Sequence, residues 1–290
     1  MSSRLALGTV QFGLPYGIAN HSGQVAADEA GRIISCAREN RVLTIDTAMT
    51  YGQSEKVLGN IGMDDFDVIS KLPQMPSDIK DVDAWVMKQV ISSLERLGVS
   101  KLHGLLLHQP SQLSDDHGKS LVAGLNHVKN EGLLEKIGIS IYSPTELSGA
   151  MEMMDVQIVQ APFNLLDRQL FVSGWMDSLF RAGIEIHARS IFLQGLLLLN
   201  DSGVRKKFQK WNELWEKWDL WLAEKSLSPI QACLGFVESY PQISKIIVGI
   251  DSKTQLRELI AHSGKVDIAE FPDLDCNDLD LINPSRWKLA

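Results

Sequence analysis

An α/β fold closed as a single (β/α)8 barrel (a TIM barrel) is expected of this chain, on three grounds. Short apolar runs alternate with longer stretches of helical spacing from one end to the other, the pattern of βα units in a parallel sheet. Eight such runs in 290 residues leave about 36 residues per unit, which suits a fold that typically needs roughly 250. The first run leads into Gly8-Thr9-Val10-Gln11-Phe12-Gly13-Leu14-Pro15-Tyr16-Gly17, a glycine-punctuated loop with no immediate helix. An open doubly wound sheet is the competing architecture, and it would normally carry G-x-G-x-x-G at that point. That fingerprint is absent.

The strands are expected at residues 4–7, 42–46, 66–71, 103–108, 134–140, 156–160, 184–188 and 244–248. After the first, residues 26–40 carry Ala30, Ile33, Ile34 and Ala37 on one helical face. After the third, residues 81–97 repeat Val82, Trp85, Val86, Val90 and Leu94 at the same spacing. A helix after the fourth ends over 126–131 before Gly132, and Pro144 opens another over 145–154. Trp211, Trp215, Trp218 and Leu222, with Trp221 beside them, form a stripe expected to pack a helix onto the barrel. No linker, repeat or low-complexity block divides the chain. Residues 1–290 therefore read as one domain, with an irregular acidic tail from about 267 lying across the barrel.

Composition narrows the function classes. Apolar residues at 44% and charged residues at 22% are those of an ordinary globular domain, not of a disordered one. A formal charge of −8 argues against a broad nucleic-acid or anionic-membrane footprint. The longest apolar stretch, residues 191–199, is interrupted by Gln194 and is far short of the roughly 20 residues that span a bilayer. The first residues lack secretory-signal organisation, and Cys36, Cys233 and Cys276 lie far apart without metal-ligand spacing. A cytoplasmic protein is expected.

In a barrel of this kind the chemistry sits at the C-terminal ends of the strands. Asp46 ends the second apolar run, Lys71 the third and His108 the fourth, with Tyr51 in the loop after Asp46. A phenol titrates near 10 in isolation, too high for efficient proton transfer near neutrality. A nearby ammonium favours the phenolate, an aspartate holds that ammonium in place, and an imidazole can orient a substrate oxygen. Such a group protonates a carbonyl while a separate agent brings hydride to carbon; no side chain supplies hydride, so a nicotinamide cofactor is implied. Singly, each residue has a plain structural reading: a turn aspartate, a packed tyrosine, a solvated lysine, a core histidine. Their order and strand-end placement favour a shared site. His103 and His108 are five apart on one strand and face opposite sides, and His187 and His21 have no partner at suitable spacing, so no metal is expected.

The run Ile45-Asp46-Thr47-Ala48-Met49-Thr50-Tyr51-Gly52-Gln53-Ser54-Glu55, followed by Leu58-Gly59, resembles the motif of the aldo-keto reductase superfamily. Leu7-Gly8-Thr9, Ile69-Ser70-Lys71, Leu107-His108, Ile137-Gly138-Ile139-Ser140, the segment from Val159 to Arg168 and Val248-Gly249 extend the resemblance along almost the whole chain. It implies a (β/α)8 barrel and a carbonyl reductase using NADPH, with NADH the alternative. Tyr51 would be the general acid, Lys71 its activator, Asp46 the partner of Lys71, and His108 the residue that orients the carbonyl. Ser140 and Gln160 match positions that bind the nicotinamide carboxamide. Arg189 stands where an aromatic often stacks on that ring. Ser190, Gln194, Gly195 and Leu196 match the loop around the pyrophosphate, and Gly249, Ser252, Gln255 and Glu258 the segment at the adenosine end. Two departures stand out: Ile141 replaces a frequent Asn, and Ile250-Asp251 lacks the basic residue some members aim at a 2′-phosphate, where Asp251 would repel that group and Lys253 or Arg257 would be the substitutes by charge.

Phe12, Tyr16, Phe163, Asn164 and Phe192, with Arg168 beside them, are the expected substrate-pocket residues. The stretch from Gln11 to Asn20 is similar to reductases of bacterial surface-sugar synthesis, which implies a sugar-type carbonyl. The expected partner is a small-molecule carbonyl compound, and the expected state a monomer or weak homo-oligomer. Two rivals are kept: a catalytically weak nicotinamide-binding regulatory barrel, and a lyase or isomerase without cofactor.

Overall fold

The computed structural model describes residues 3–20, 22–199, 202–264, 268 and 270–287. Its strands are β1 (Leu5–Gly8), β2 (Thr44–Asp46), β3 (Asp67–Leu72), β4 (Leu102–Leu107), β5 (Leu134–Ser140), β6 (Ile158–Pro162), β7 (Glu185–Arg189) and β8 (Ile243–Gly249). Each pairs in parallel with the next, and β8 returns to β1 in register from Leu5↔Ile246 to Gly8↔Gly249, which closes the barrel. The ring around it consists of α1 (Ala27–Glu39), α2 (Ser54–Ile61), α3 (Val82–Leu97), α4 (Gly118–Asn130), α5 (Leu147–Met153), α6 (Trp175–Arg181), α7 (Pro229–Glu238) and α8 (Lys253–His262). No helix among the described residues is long and apolar enough to cross a membrane.

Helix starts and stops follow local chemistry. The Asp81 side chain accepts the Ala84 N–H at 3.0 Å to begin α3, and Gly98, at φ 68°, ends it where other residues would be strained. Residues 144–146 wind as a 3-10 turn before α5, with Ser143 and Glu146 forming a capping box. The buried faces of α1 and α3 hold the residues expected from their spacing. One expectation fails. The loop after β1 does contain a helix, the single turn Val10–Gly13, ended by Leu14, which the following Pro15 holds extended.

Strand periodicity decides what faces inward. Ile69, Leu106 and Ile158 form an apolar cluster of their own, separate from the layer between sheet and helices. Glycines make room for it: a Cβ on Gly104 would stand 2.7 Å from Ile158 Cδ1, and one on Gly138 only 2.2 Å from the Ile158 carbonyl oxygen. Two residues further along the same strands, the same parity carries Lys71, His108 and Gln160 to the mouth.

At the opposite end, Glu185 accepts hydrogen bonds from Lys136 and, at 3.1 Å, from His187 Nε2. His187 thus has a hydrogen-bond partner on its own strand, because residues two apart share a face. His21 lies outside the described residues. Of the tryptophan stripe, Trp211 ends the 3-10 turn just before the helix Asn212–Lys225, and that helix buries Trp215, Trp218, Trp221 and Leu222. The described part of the tail packs onto the body of the protein: Cys276 N–H donates to the Leu166 carbonyl at 2.8 Å, and Leu274, Leu281 and Ile282 are buried. It is less irregular than expected, with short turns at Leu279–Ile282 and Pro284–Arg286, while its expected onset near 267 lies outside the described residues.

Candidate active site

Asp46 and Lys71 meet at the barrel mouth, almost completely buried. Lys71 Nζ donates to both Asp46 oxygens at 2.8 Å and to the Thr47 carbonyl at 2.9 Å. Burial works against the ammonium, but the Asp46 carboxylate and the Tyr51 hydroxyl outweigh it and hold Lys71 above the ordinary lysine value. The Tyr51 ring lies with its centroid 5.1 Å from Lys71 Nζ and 5.9 Å from the His108 ring, edge to face. Gln160 Nε2 donates to Asp46 at 2.6 Å, and Ser140 Oγ to Gln160 Oε1 at 3.3 Å. Side chains from β2, β3 and β6 thus meet in one hydrogen-bonded group, with Ser140 of β5 joined through Gln160 and His108, just after β4, beside Tyr51.

His108 is held neutral. Burial, then the Lys71 and Arg189 charges, push its pKa down to about 4, against the partial relief of Asp46. Thr50 Oγ1 lies 3.3 Å from its Nδ1.

The loop that carries Tyr51 is fixed by close backbone packing. A Cβ on Gly13 would stand 1.7 Å from the Tyr51 carbonyl oxygen, and one on Gly52, at φ 54°, 2.6 Å from the Gly13 carbonyl oxygen. No side chain fits at either position. Beneath them Ser54 Oγ donates to the Thr9 carbonyl at 2.8 Å, and Thr9 Oγ1 to the Asp46 carbonyl at 3.0 Å. Glu55, also buried, accepts from Ser70 Oγ, Ser93 Oγ and Arg96 Nε at 2.6–2.7 Å. Ser54 and Glu55 therefore clamp the loop rather than face the mouth.

A cleft of about 530 Å³ opens above Tyr51 and crosses the mouth from the β4 side to β8 and the amino end of α8. Asp46, Tyr51 and His108 line it, with Lys71 beneath. Among the residues matched to a cofactor, Ser140, Gln160, Arg189, Ser190, Gln194, Gly195, Gly249, Gln255 and Glu258 line it. Leu196 does not, being fully buried, and Ser252 instead caps α8 by accepting the Gln255 N–H. The Arg189 guanidinium lies 4.5 Å from the Tyr142 ring centroid and donates to the Ile141 carbonyl at 2.9 Å. Strain is concentrated after β7, where Ser190, Leu193 and Gln194 all have φ between 47° and 57°. That loop touches the β1 loop through Gln194 Nε2 on Tyr16 Oη at 2.9 Å and Ile18 N–H on the Gln194 carbonyl at 3.2 Å.

Of the expected substrate residues, Tyr16 and Phe192 line the cleft and three others do not. Phe12 is fully buried, Phe163 stacks on Phe236 at 5.3 Å, and Asn164 spends its amide on the Ser190 carbonyl and on the Leu166 and Asp167 N–H groups. Arg168 ties the tail down by donating to the Pro272 carbonyl at 2.7 Å. Gln11, Asn20 and Tyr142 line the cleft without having been singled out, and so does Asp251, named from sequence only as a departure at the 2′-phosphate end. A polar residue inside the glycine-rich β1 loop was the available signal for the first two.

Residues 4–280 match the model of the Aldo/keto reductase family. The chain belongs to that family. This aldo-keto reductase is similar in structure to a putative aldo-keto reductase from Pseudomonas aeruginosa, with a TM-score of 0.68 and 22% identity over 91% of this chain and 90% of that one. It is also similar to an aldo-keto reductase from Bacillus halodurans in its holo form, with a TM-score of 0.75 and 17% identity over 92% and 89% of the two chains. At those identities the likeness is one of fold. No curated protein sequence matches this reductase. Family membership makes it an oxidoreductase of carbonyl compounds, in a family that uses nicotinamide cofactors.

Proposed function

We propose that this aldo-keto reductase reduces an aldehyde or ketone, of sugar type, to the alcohol, with Tyr51 as general acid. The observation that carries the reading is the buried Asp46–Lys71 pair directly beneath a tyrosine that lines a cleft shared with a neutral histidine. The cleft suits a dinucleotide. It is long, it borders the amino end of α8, and Gln11 Oε1, a buried acceptor on its wall, has no partner among the described residues. Ser140 and Gln160 would hold the nicotinamide end, Ser190, Gln194 and Gly195 the middle, and Gly249, Gln255 and Glu258 the far end.

When bound, the reduced nicotinamide supplies the hydride. Tyr51 Oη donates its proton to the carbonyl oxygen, and the charged Lys71 stabilises the phenolate left behind. Asp46, itself held by Gln160, keeps Lys71 in place. With the Thr50 hydroxyl donating to Nδ1, the His108 proton sits on Nε2 and points a second donor at the same oxygen.

The test follows label. The protein is mixed with a dinucleotide deuterated at the transferable position and with a panel of aldehydes, ketones and sugars. Loss of the reduced-nicotinamide absorbance, with deuterium on the carbinol carbon, is expected for at least one class. Tight binding without transfer across the panel would make it a nicotinamide-binding regulatory protein instead. Failure to bind either dinucleotide would remove the reading altogether.

A further inference from the structure

We infer that the unphosphorylated dinucleotide, NADH, is the cofactor of this reductase and that Asp251 makes the choice. The inference rests on the nicotinamide reading above and reverses the sequence-based expectation of NADPH. Tyr51 and His108 fix the nicotinamide at the β4 side of the cleft, so the adenosine half extends to the opposite wall, at β8 and the start of α8. That wall is anionic: Asp251 and Glu258 both line it. Among the described lining residues the sole lysine or arginine is Arg189, at the end of the cleft near His108 and Ser140, already engaged with Tyr142 and the Ile141 carbonyl. Lys253 and Arg257, the cations nearest in sequence, do not line the cleft.

Asp251 is built into its position. Its N–H donates to Gln255 Oε1 at 2.8 Å, and its Oδ1 accepts from Asn20 Nδ2 at 3.3 Å, so the loops after β1 and β8 hold it between them. Burial pushes its carboxyl up and the Gln255 side chain pulls it partly back, and the residue lines the cleft, where a ligand can reach it. The orphaned Gln11 Oε1 is a second acceptor in the same cleft, in a space kept by Gly249, whose Cβ would stand 2.4 Å from Gln11 Nε2. The Asp251 carboxylate calls for donors, and the 2′- and 3′-hydroxyls of an adenosine ribose are donors. A 2′-phosphate offers only acceptors and carries about −1.5 to −2 charges, so it needs arginine or lysine where this wall presents carboxylates. A carboxylate that accepts from the ribose 2′-hydroxyl is also the chemistry by which dinucleotide folds of the doubly wound type select NAD.

Equilibrium titration separates this inference from the reading beneath it. The intact protein is titrated with NADH and with NADPH at low and high salt, following quenching of its tryptophan fluorescence, alongside Asp251→Asn, Asp251→Ser and Asp251→Arg. The wild type is expected to bind NADH at least tenfold more tightly, with the gap narrowing at high salt. Asp251→Asn and Asp251→Ser should shrink the ratio by strengthening NADPH, and Asp251→Arg should invert it. Wild-type binding of NADPH as tight as NADH, or a ratio unmoved in all three variants, would overturn the inference and leave the reductase reading standing. Binding of neither dinucleotide would overturn both.

Discussion

The two ends of the barrel carry the same three kinds of group, an ammonium, a carboxylate and an imidazole, to different ends. At the mouth, Lys71 pairs with Asp46 and His108 stands close by; at the floor, Lys136 pairs with Glu185, which also accepts from His187. The side chains of the mouth pair are 1% and 6% exposed, those of the floor pair 29% and 28%. Water therefore screens the floor pair, while the mouth pair is desolvated and adjoins a tyrosine and a cleft. Residue identity does not make a site; burial, a proton donor and access for a ligand do.

The comparison is sharpened most by deleting the lysine at each end. Lys71→Met strands the buried Asp46 charge, and a loss of about 3–5 kcal/mol in denaturant-melt stability is expected, along with most of the turnover. Asp46→Asn in the same chain should restore much of the stability and none of the turnover. Lys136→Met should cost under about 1 kcal/mol and leave kcat unchanged. Equal losses at the two ends would erase the distinction.

The pH dependence differs next. His108, at about 4 in the folded state against an ordinary 6.5, takes up its proton earlier when unfolded, so its contribution is lost as pH falls from 6.5 to 4. Glu185 is held down to about 2 by the His187 hydrogen bond and, after its burial is set against it, by Lys136; its contribution is present above 4.5 and lost as pH falls from there towards 2. Melts of His108→Gln and Glu185→Gln, each subtracted from wild type, should show the upper window for the first, on the order of 3 kcal/mol, and a window reaching down to pH 2 for the second, where losing Glu185 also removes the partial support it gives the buried His187. Asp167, which burial pushes up to about 6, acts in the opposite sense but cancels in both differences. A shared window would contradict the assignment of these groups.

The smallest expected effect concerns Thr50. Thr50→Val removes the hydroxyl beside His108 Nδ1 and should lower kcat severalfold with little change in stability, while Thr50→Ser restores it. A variant with unaltered pH profile and kcat would free Thr50 of that positioning role.

The positions of Asp46, Lys71 and His108 at strand ends were legible because each closes an apolar run, and strand parity then carries them to the mouth. The two ends of the cleft were legible through motif glycines such as Gly249 and through polar residues such as Gln160. The aromatic lining was not, because Phe12 and Phe163 satisfy a core as readily as a pocket, and only packing decides. The β7 loop was equally hidden: its left-handed turns fall on Ser190, Leu193 and Gln194, residues that do not advertise positive φ. The pairing of Glu185 with His187 follows from strand parity alone.

Tyr51→Phe is the most direct trial of the mouth as a proton-transfer site. It removes one oxygen and leaves the ring beside Lys71 and His108. Dinucleotide affinity, measured by fluorescence quenching, should stay within about twofold, while carbonyl reduction should fall by at least 10²-fold, the lower end of what a general acid contributes. A Tyr51→Phe protein that binds the cofactor and reduces the carbonyl at the wild-type rate would contradict the role given to that hydroxyl.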